Sequence, residues 1–414
     1  MKRFVICFDG TWQQLRQPRP TNIAILARSI AHTAHGPNGE PIPQIVIYSK
    51  GVGANTDALG QEGFIGAFQN WLNRMLGGIF GEGLEDELVE TYLRLAFNYE
   101  ADDEIYVFGF SRGAFMARSF TGLINAAGII SRVHAEQAWE AFRLYRTPPP
   151  PDAPDEVRRA HLEEERRFRL QYGKGRRAAD GSRIKTDEVP NINYLGIFDT
   201  VGQRGMPTAL GAISRMFNKR YGFHSLNICP NVLSARHAVA IDERRLGFPP
   251  TLWDGVAEAN AAARKRAGAD PNGHYYAQRW FIGTHGDVGG GEGSTLSAAP
   301  LKWIAEGARN AGLRFYAKHG DDESPLDVYL RECGLSFDGK ISRPKFWDSL
   351  SPMNYPLSAR RIWRDRVKPT REDLQQLVDE GALKRAADAH IKPRYRPASL
   401  KPFRPALRDL DKHA

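Results

Sequence analysis

The sequence GFSRG at residues 109–113 is the feature that most restricts how this chain can fold. The four residues before it, IYVF at 105–108, form an apolar run that predicts a buried strand, and residues 114–124 have the apolar periodicity of a helix. A serine between two glycines at a strand-to-helix turn is typical of a nucleophile elbow, in which small residues let the backbone pass closely and leave the hydroxyl accessible. We therefore predict that Ser111 is a nucleophile at the carboxyl end of a strand.

Other apolar runs indicate the sheet to which this strand belongs. A helical pattern at 83–99 precedes the strand at 105–108, and helix, strand and helix in succession favour a parallel arrangement. Further strands, each followed by a polar or glycine-rich turn, are predicted at residues 4–8, 44–48, 194–198, 237–241 and 280–283. The fold class we expect is α/β and α/β-hydrolase-like: a mostly parallel central sheet flanked by helices, with cap insertions.

We expect one catalytic domain over residues 1–355, because predicted strands occur on both sides of the irregular segments. The cap insertions are predicted at about 54–82, 147–190 and 205–232. The first contains an amphipathic stretch at 64–80, which could be a core helix or a lid, and the second combines four prolines at 148–151 with a charged helical pattern.

The C-terminal extension, residues 356–414, is predicted to be basic and packed on the domain. From residue 357 to residue 414 there are 15 Lys and Arg against 8 Asp and Glu, which accounts for most of the net charge of +9. A solvated surface is favoured over a patch that contacts anionic lipid, although peripheral membrane contact stays open. No nucleic-acid partner is expected, and the oligomeric state is not indicated.

Composition limits the classes of protein to which this chain can belong. The hydrophobic fraction of 42% in 414 residues can support a substantial core, and no window approaches the roughly 18 consecutive apolar residues of a membrane span. We expect a protein that is cytoplasmic as synthesised and compatible with export by a system that needs no signal peptide. The spacing of Cys7, Cys229 and Cys333 predicts neither a disulfide framework nor a metal site.

A serine nucleophile needs a base, and the base needs an orienting carboxylate. His285 follows the strand at 280–283 and begins a glycine-rich loop, so it is favoured as base over His224 and His237. For the acid, Asp199 and Asp242 each follow a strand, and position alone does not separate them. Asp199 is favoured, because Asp242 is followed by Glu243 and two arginines, a setting typical of a structural ion pair.

The oxyanion hole of such a site takes backbone N–H groups from the residue after the nucleophile and from a loop after an early strand. The first is Arg112. For the second, the sequence DGTW at residues 9–12 follows the first predicted strand, and Thr11 is our choice, with Gly10 and Trp12 as alternatives. Asp9 is expected to form hydrogen bonds within this turn. No metal or organic cofactor is required.

Five blocks of this chain resemble, in order, the signature blocks of a bacterial and fungal α/β-hydrolase domain family that includes type VI secretion phospholipase effectors. They are FDGTW at 8–12, GFSRGA at 109–114, FDTV at 198–201, HAVAIDER at 237–244 and HGDVGGG at 285–291. The resemblance implies Ser111 as nucleophile, Asp199 as acid and His285 as base.

The function expected is that of a serine esterase or lipase-type hydrolase. It would cleave acyl esters, phospholipid or other lipid esters among them, through an acyl-enzyme on Ser111. The substrate would be a small-molecule or lipid ester. The alternative is a noncatalytic interaction module that keeps the hydrolase fold.

Overall fold

The computed structural model describes residues 1–10, 18–50, 82–150, 152–180, 182–201, 227–243, 250–266, 268–270, 273–319, 322–334, 341 and 378–387. The predicted insertions at 54–82 and 205–232 lie mostly outside these residues, as do Thr11, Trp12 and His224. For these segments the cap and the lid remain predictions.

Eleven strands are present in the described part of the chain, and seven of them form one central sheet. In chain order the strands are β1 Arg3–Phe8, β2 Thr33–His35, β3 Pro41–Ser49, β4 Glu104–Phe110, β5 Arg176–Arg177, β6 Arg183–Ile184, β7 Tyr194–Phe198, β8 Ala235–Ala240, β9 Tyr276–Phe281, β10 Lys318–His319 and β11 Asp322–Glu323. The sheet order is β2-β3-β1-β4-β7-β8-β9. Every neighbouring pair is parallel except β2 with β3. The predicted parallel α/β sheet is therefore confirmed.

Helices cover both faces of this sheet. They are α1 Asn22–Ser29, α2 Glu82–Asn98, α3 Arg112–Ala127, α4 Ala138–Arg146, α5 Asp155–Tyr172, α6 Val256–Ala263, α7 His285–Gly289, α8 Ala298–Asn310, α9 Pro325–Cys333 and α10 Glu380–Ala387. Within β1, Phe4, Ile6 and Phe8 pack with α2 and α3, whereas Val5 and Cys7 pack with α1 and α8 on the opposite face. This alternation is why β1 reads as a continuous apolar run, since a strand buried on both faces has no polar side.

The insertion at 147–190 contributes the exposed helix α5 and the short antiparallel pair of β5 and β6. The Arg169 guanidinium donates to the carbonyl of Ala126, and Phe168 joins the core cluster beside α3. The contact of Arg169 with Ala126 lies near the end of α3 away from Ser111, about 22 Å along the helix. The role of this insertion as a cap stays a prediction.

Part of the C-terminal extension packs on the far edge of the sheet. Val378 forms a parallel bridge with Trp280 of β9, and the N–H of Asp379 donates to the Trp280 carbonyl at 2.8 Å. Ala382 and Leu383 of α10 are buried in the same small apolar cluster. An edge strand presents unpaired backbone groups, and residues 378–379 satisfy some of those on β9. Among the described residues, no helix has both the length and the apolar character needed to span a membrane.

Candidate active site

Ser111 occupies a sharp turn between β4 and α3. Its φ of 59° and ψ of −120° lie outside the usual regions for a residue with a side chain. The turn is held by a hydrogen bond from the Ser111 N–H to the carbonyl of Phe198 at 3.0 Å, which ties it to the end of β7. Strained backbone of this kind persists only where the surroundings fix it, and such positions cluster at functional sites.

Both glycines of the GFSRG motif are required by close approaches of the backbone. A Cβ on Gly109 would lie 2.4 Å from the carbonyl oxygen of Gly113, across the turn. A Cβ on Gly113 would lie 2.2 Å from the carbonyl oxygen of Phe8, at the end of β1. The first glycine thus permits the turn itself, and the second lets α3 begin directly beside the loop that follows β1.

His285 is the first residue of α7, which follows β9. Its Nε2 atom is 2.7 Å from the Oγ of Ser111. Thr284 is the N-cap residue of this helix, and its N–H and hydroxyl both donate to Oδ2 of Asp287, at 2.9 and 3.0 Å. The ring of Phe110 packs at 4.7 Å, centroid to centroid, from the imidazole. His285 is only 2% exposed, so this orientation is set inside the protein rather than at its surface.

Asp199 follows β7 and contacts the other side of the same imidazole. Its Oδ2 is 2.7 Å from Nδ1 of His285, while its Oδ1 accepts the N–H of Ala240 at 3.0 Å. A carboxylate accepts hydrogen bonds only, so Nδ1 carries the proton when the imidazole is neutral, and Nε2 is left to accept the Ser111 hydroxyl proton. The structure thus brings the three predicted residues into one hydrogen-bonded chain.

Asp242, the alternative acid, is held in a different arrangement. Its Oδ2 accepts the N–H of Gly283 at 2.8 Å, and its own N–H donates to the carbonyl of Gly283 at 3.0 Å. This paired contact joins the loops that follow β8 and β9. Of the two carboxylates that position could not separate, Asp199 is the one that contacts Nδ1 of His285.

Glu243 also contacts His285, a contact that was not predicted from the sequence. Its Oε2 accepts the backbone N–H of His285 at 3.1 Å, and the side chain is buried. The sequence contains a signal for this contact. Glu243 follows β8, which lies beside β9 in the sheet, and an acidic residue at that place can reach the first turn of α7, the helix that follows β9. The described residues contain no group of acidic, histidine and cysteine side chains arranged to hold a metal ion.

The proposed oxyanion donors are only partly described. Arg112 is the first residue of α3, where backbone N–H groups have no partner within the helix and the helix dipole is positive. Its side chain is buried, and burial lowers the pKa of the guanidinium. Thr11 lies outside the described residues. The N–H of Gly10, one of its alternatives, donates to Oδ1 of Asp9 at 2.7 Å and is therefore already engaged.

His237, the competing base, lies within β8 rather than at its end. The backbone N–H of Thr200 donates to its Nε2 at 3.2 Å, so Nδ1 carries the proton and donates to Oε1 of Gln278 at 3.0 Å. Burial lowers the pKa of His237 to about 3, with a smaller contribution from the charge of Arg118. This histidine is a neutral connector between strands.

In the folded chain His237 stays neutral down to about pH 3, whereas in the unfolded chain it binds a proton below about pH 6.5. The free energy of unfolding should therefore rise with pH between about 3 and 6.5. Acidification within that window should cost up to about 1.4 kcal/mol per pH unit from this residue alone. We expect urea unfolding at pH 7 and pH 5 to show a smaller acid loss for His237→Gln than for the unmodified chain. Equal losses in both proteins would contradict this assignment.

Comparison with known proteins gives the chain a family. Residues 2–307 match the family model described as "T6SS, Phospholipase effector Tle1-like, catalytic domain". An uncharacterized protein of Saccharomyces cerevisiae, YEL023C, is 28% identical over 251 residues, which cover 60% of this chain and 32% of the yeast protein. The chain therefore spans about a third of the length of that relative.

Two solved structures are also similar. One, of an uncharacterized protein from Pseudomonas aeruginosa, has 16% identity and a TM-score of 0.34, with 76% of this chain and 46% of that chain covered. The other, of the Tle1 effector bound to the VgrG spike of the type 6 secretion system, has 17% identity and a TM-score of 0.32, with 71% and 52% covered. The family model matches well over half of the residues and confirms the resemblance predicted from the five sequence blocks: this chain belongs to the Tle1-like phospholipase effector family and carries its catalytic domain.

Proposed function

We propose that this chain is a serine hydrolase that cleaves acyl esters of lipids, phospholipids among them, through Ser111, His285 and Asp199. The observation that carries the proposal is the pair of 2.7 Å contacts that link these three side chains at the amino end of α3. Membership of a phospholipase effector family supports the lipid substrate class. No cofactor takes part in this chemistry.

In the first half-reaction, Ser111 Oγ attacks the ester carbonyl while Nε2 of His285 takes its proton. Asp199 stabilises the imidazolium that forms and keeps its Nδ1 proton directed away from the substrate. The carbonyl oxygen, which is now negative, would accept hydrogen bonds from the backbone N–H groups of Arg112 and Thr11. Collapse of this intermediate breaks the ester bond, and His285 gives its proton to the departing alcohol.

In the second half-reaction, His285 takes a proton from water, and the resulting hydroxide attacks the acyl-enzyme. The carboxylic acid leaves, and the proton returns to Ser111. Each step moves one proton through the same imidazole, which is why Nε2 must face both Ser111 and the substrate.

The family also supports a proposal about where the reaction occurs. Type VI effectors are delivered by a secretion system, and we propose that this chain is exported in that way and meets lipid at a membrane surface. Contact with that surface through the basic residues of 356–414 is part of the same proposal.

A fluorophosphonate probe tests the enzymatic function, because it reacts covalently with an activated serine. We expect stoichiometric labelling of the folded protein at Ser111, followed by hydrolysis of short soluble esters and of phospholipid vesicles in a substrate panel. A folded chain that takes up no probe and cleaves no ester would support the noncatalytic interaction module instead.

A further inference from the structure

Asp9 lies immediately after β1, and its carboxylate collects hydrogen bonds from three separate segments. Oδ1 accepts the N–H of Gly10 at 2.7 Å, and Oδ2 accepts the hydroxyl of Tyr48, at the end of β3, at 2.5 Å. The hydroxyl of Thr21 is 2.8 Å from both carboxylate oxygens. The side chain is 3% exposed, so these donors replace the water that a carboxylate would otherwise bind.

Thr21 extends this network toward His285. It is the N-cap of α1, where its Oγ1 accepts the N–H of Ala24, and its backbone forms an antiparallel bridge with Gly290. The next residue, Asn22, donates from Nδ2 to the carbonyl of Val288 at 2.9 Å. Val288 lies in α7, the helix that carries His285, and Gly290 is the C-cap of that helix.

The backbone of Asp9 is equally close to the nucleophile. A Cβ on Gly113 would lie 2.5 Å from the Asp9 carbonyl oxygen, and Gly113 is two residues from Ser111 in α3. The main chain of Asp9 therefore lies against α3, the helix that follows Ser111. The side chain of Asp9 connects through Thr21 to α7, the helix that carries His285. Its hydrogen bonds also fix Gly10, from which the predicted oxyanion loop leaves.

We propose that Asp9 is a positioning residue that sets the distance between Ser111 and His285, acting through Thr21 and the C-cap of α7. This inference rests on the proposed function, because it concerns the rate of that reaction. Burial raises the pKa of Asp9 to about 6, against the opposing effect of its hydrogen bonds from Tyr48, Thr21 and Gly10. Burying this charge costs free energy of folding, which supports a role for Asp9 other than stability.

Asp103 provides a matched control at the opposite end of the same sheet. It is also buried, and its carboxylate accepts the N–H groups of Lys2 at 2.6 Å and Glu100 at 2.8 Å. Asp9→Asn and Asp103→Asn each remove one buried carboxylate charge. That of Asp103 is also paired with the ammonium of Lys2 at 3.2 Å, and only Asp9 lies beside the site. A purely structural role predicts that either substitution changes the melting temperature and that neither changes kcat.

The experiment measures kcat and KM on a short soluble ester, the rate of fluorophosphonate labelling and the melting temperature for each variant. We expect Asp9→Asn to lower kcat and the labelling rate by about 10²-fold with KM changed little, since small misplacements of catalytic groups cost that much. Asp103→Asn should keep both rates. A loss of kcat in Asp9→Asn no larger than that in Asp103→Asn would overturn the inference.

If Asp9→Asn does not fold, substitutions at Thr21 test the same inference. Thr21→Ser retains the hydroxyl and should keep the labelling rate, whereas Thr21→Val removes it and should lower the rate. Equal rates for the two would overturn the positioning role alone. Failure of the unmodified chain to label at all would overturn the proposed function and this inference together.

Discussion

Ser111→Ala should lower kcat for ester hydrolysis by at least about 10³-fold and abolish labelling by a fluorophosphonate. The expected size follows from serine triads, in which removal of the nucleophile leaves only the rate supplied by binding and the oxyanion hole. The substitution deletes one oxygen and keeps the Cβ that the turn already accommodates. We therefore expect the melting temperature to change little.

Ser119→Ala provides the matched control for this measurement. Ser119 is a buried serine within α3, about 12 Å along the helix axis from Ser111. It should keep both labelling and turnover, which separates loss of the nucleophile from any general effect of a serine-to-alanine change in this helix. Probe found on another serine of the Ser111→Ala protein would show that the nucleophile has been assigned to the wrong residue.

Asp199→Asn should lower kcat by about 10⁴-fold, the loss found when a triad carboxylate becomes an amide. Asp199 uses Oδ1 to accept the N–H of Ala240, and an asparagine can keep that contact with its amide oxygen. Its NH₂ group then faces Nδ1 of His285, where a donor meets the protonated nitrogen. The imidazole would shift its proton to Nε2 and could no longer accept the Ser111 proton.

Asp242→Asn is the comparison that decides the acid. An asparagine at 242 can still accept the N–H of Gly283, but the bond loses the strength that the charge of the carboxylate gives it, so Asp242→Asn should lower the melting temperature more than the turnover. Asp199→Asn should show the opposite pattern, with near-normal melting and little activity. Were Asp242→Asn inactive at full stability while Asp199→Asn stayed active, the role of acid would pass to Asp242.

The strands that precede Ser111 and Asp199 could be predicted because each is a short, largely apolar run, whereas β9, which precedes His285, contains Gln278 and Arg279 and begins four residues before its predicted start. The strand at 194–198 was predicted with the bounds that the structure has, and those at 4–8 and 105–108 differ by no more than two residues at either end. Parallel strands place their carboxyl ends together, so Ser111 and Asp199 were expected on the same edge. His285 was expected there because it follows another such strand.

What the sequence left open depends on contacts between distant segments. Asp199 and Asp242 each follow a strand, and only the hydrogen bonds of the folded chain separate them. Asp9 was expected to bond within its own turn, and it does so through Gly10, but its contacts with Thr21 and Tyr48 need α1 and β3 to be placed first. The charge pattern predicted α5 as an exposed helix without indicating which end of α3 it would contact.

The hydrogen-bonded chain of Ser111, His285 and Asp199 joins residues that are far apart in the sequence. His285 is 174 positions from Ser111 and 86 from Asp199, and the three follow different strands of the sheet. Contacts of such long range form late and slowly, because the entropy of closing large loops must be overcome first. A nascent or half-assembled chain would therefore contain Ser111 without its hydrogen bond to His285. On the proposed function, esterase activity would then appear only when β4, β7 and β9 have all docked, and turnover would report completed folding.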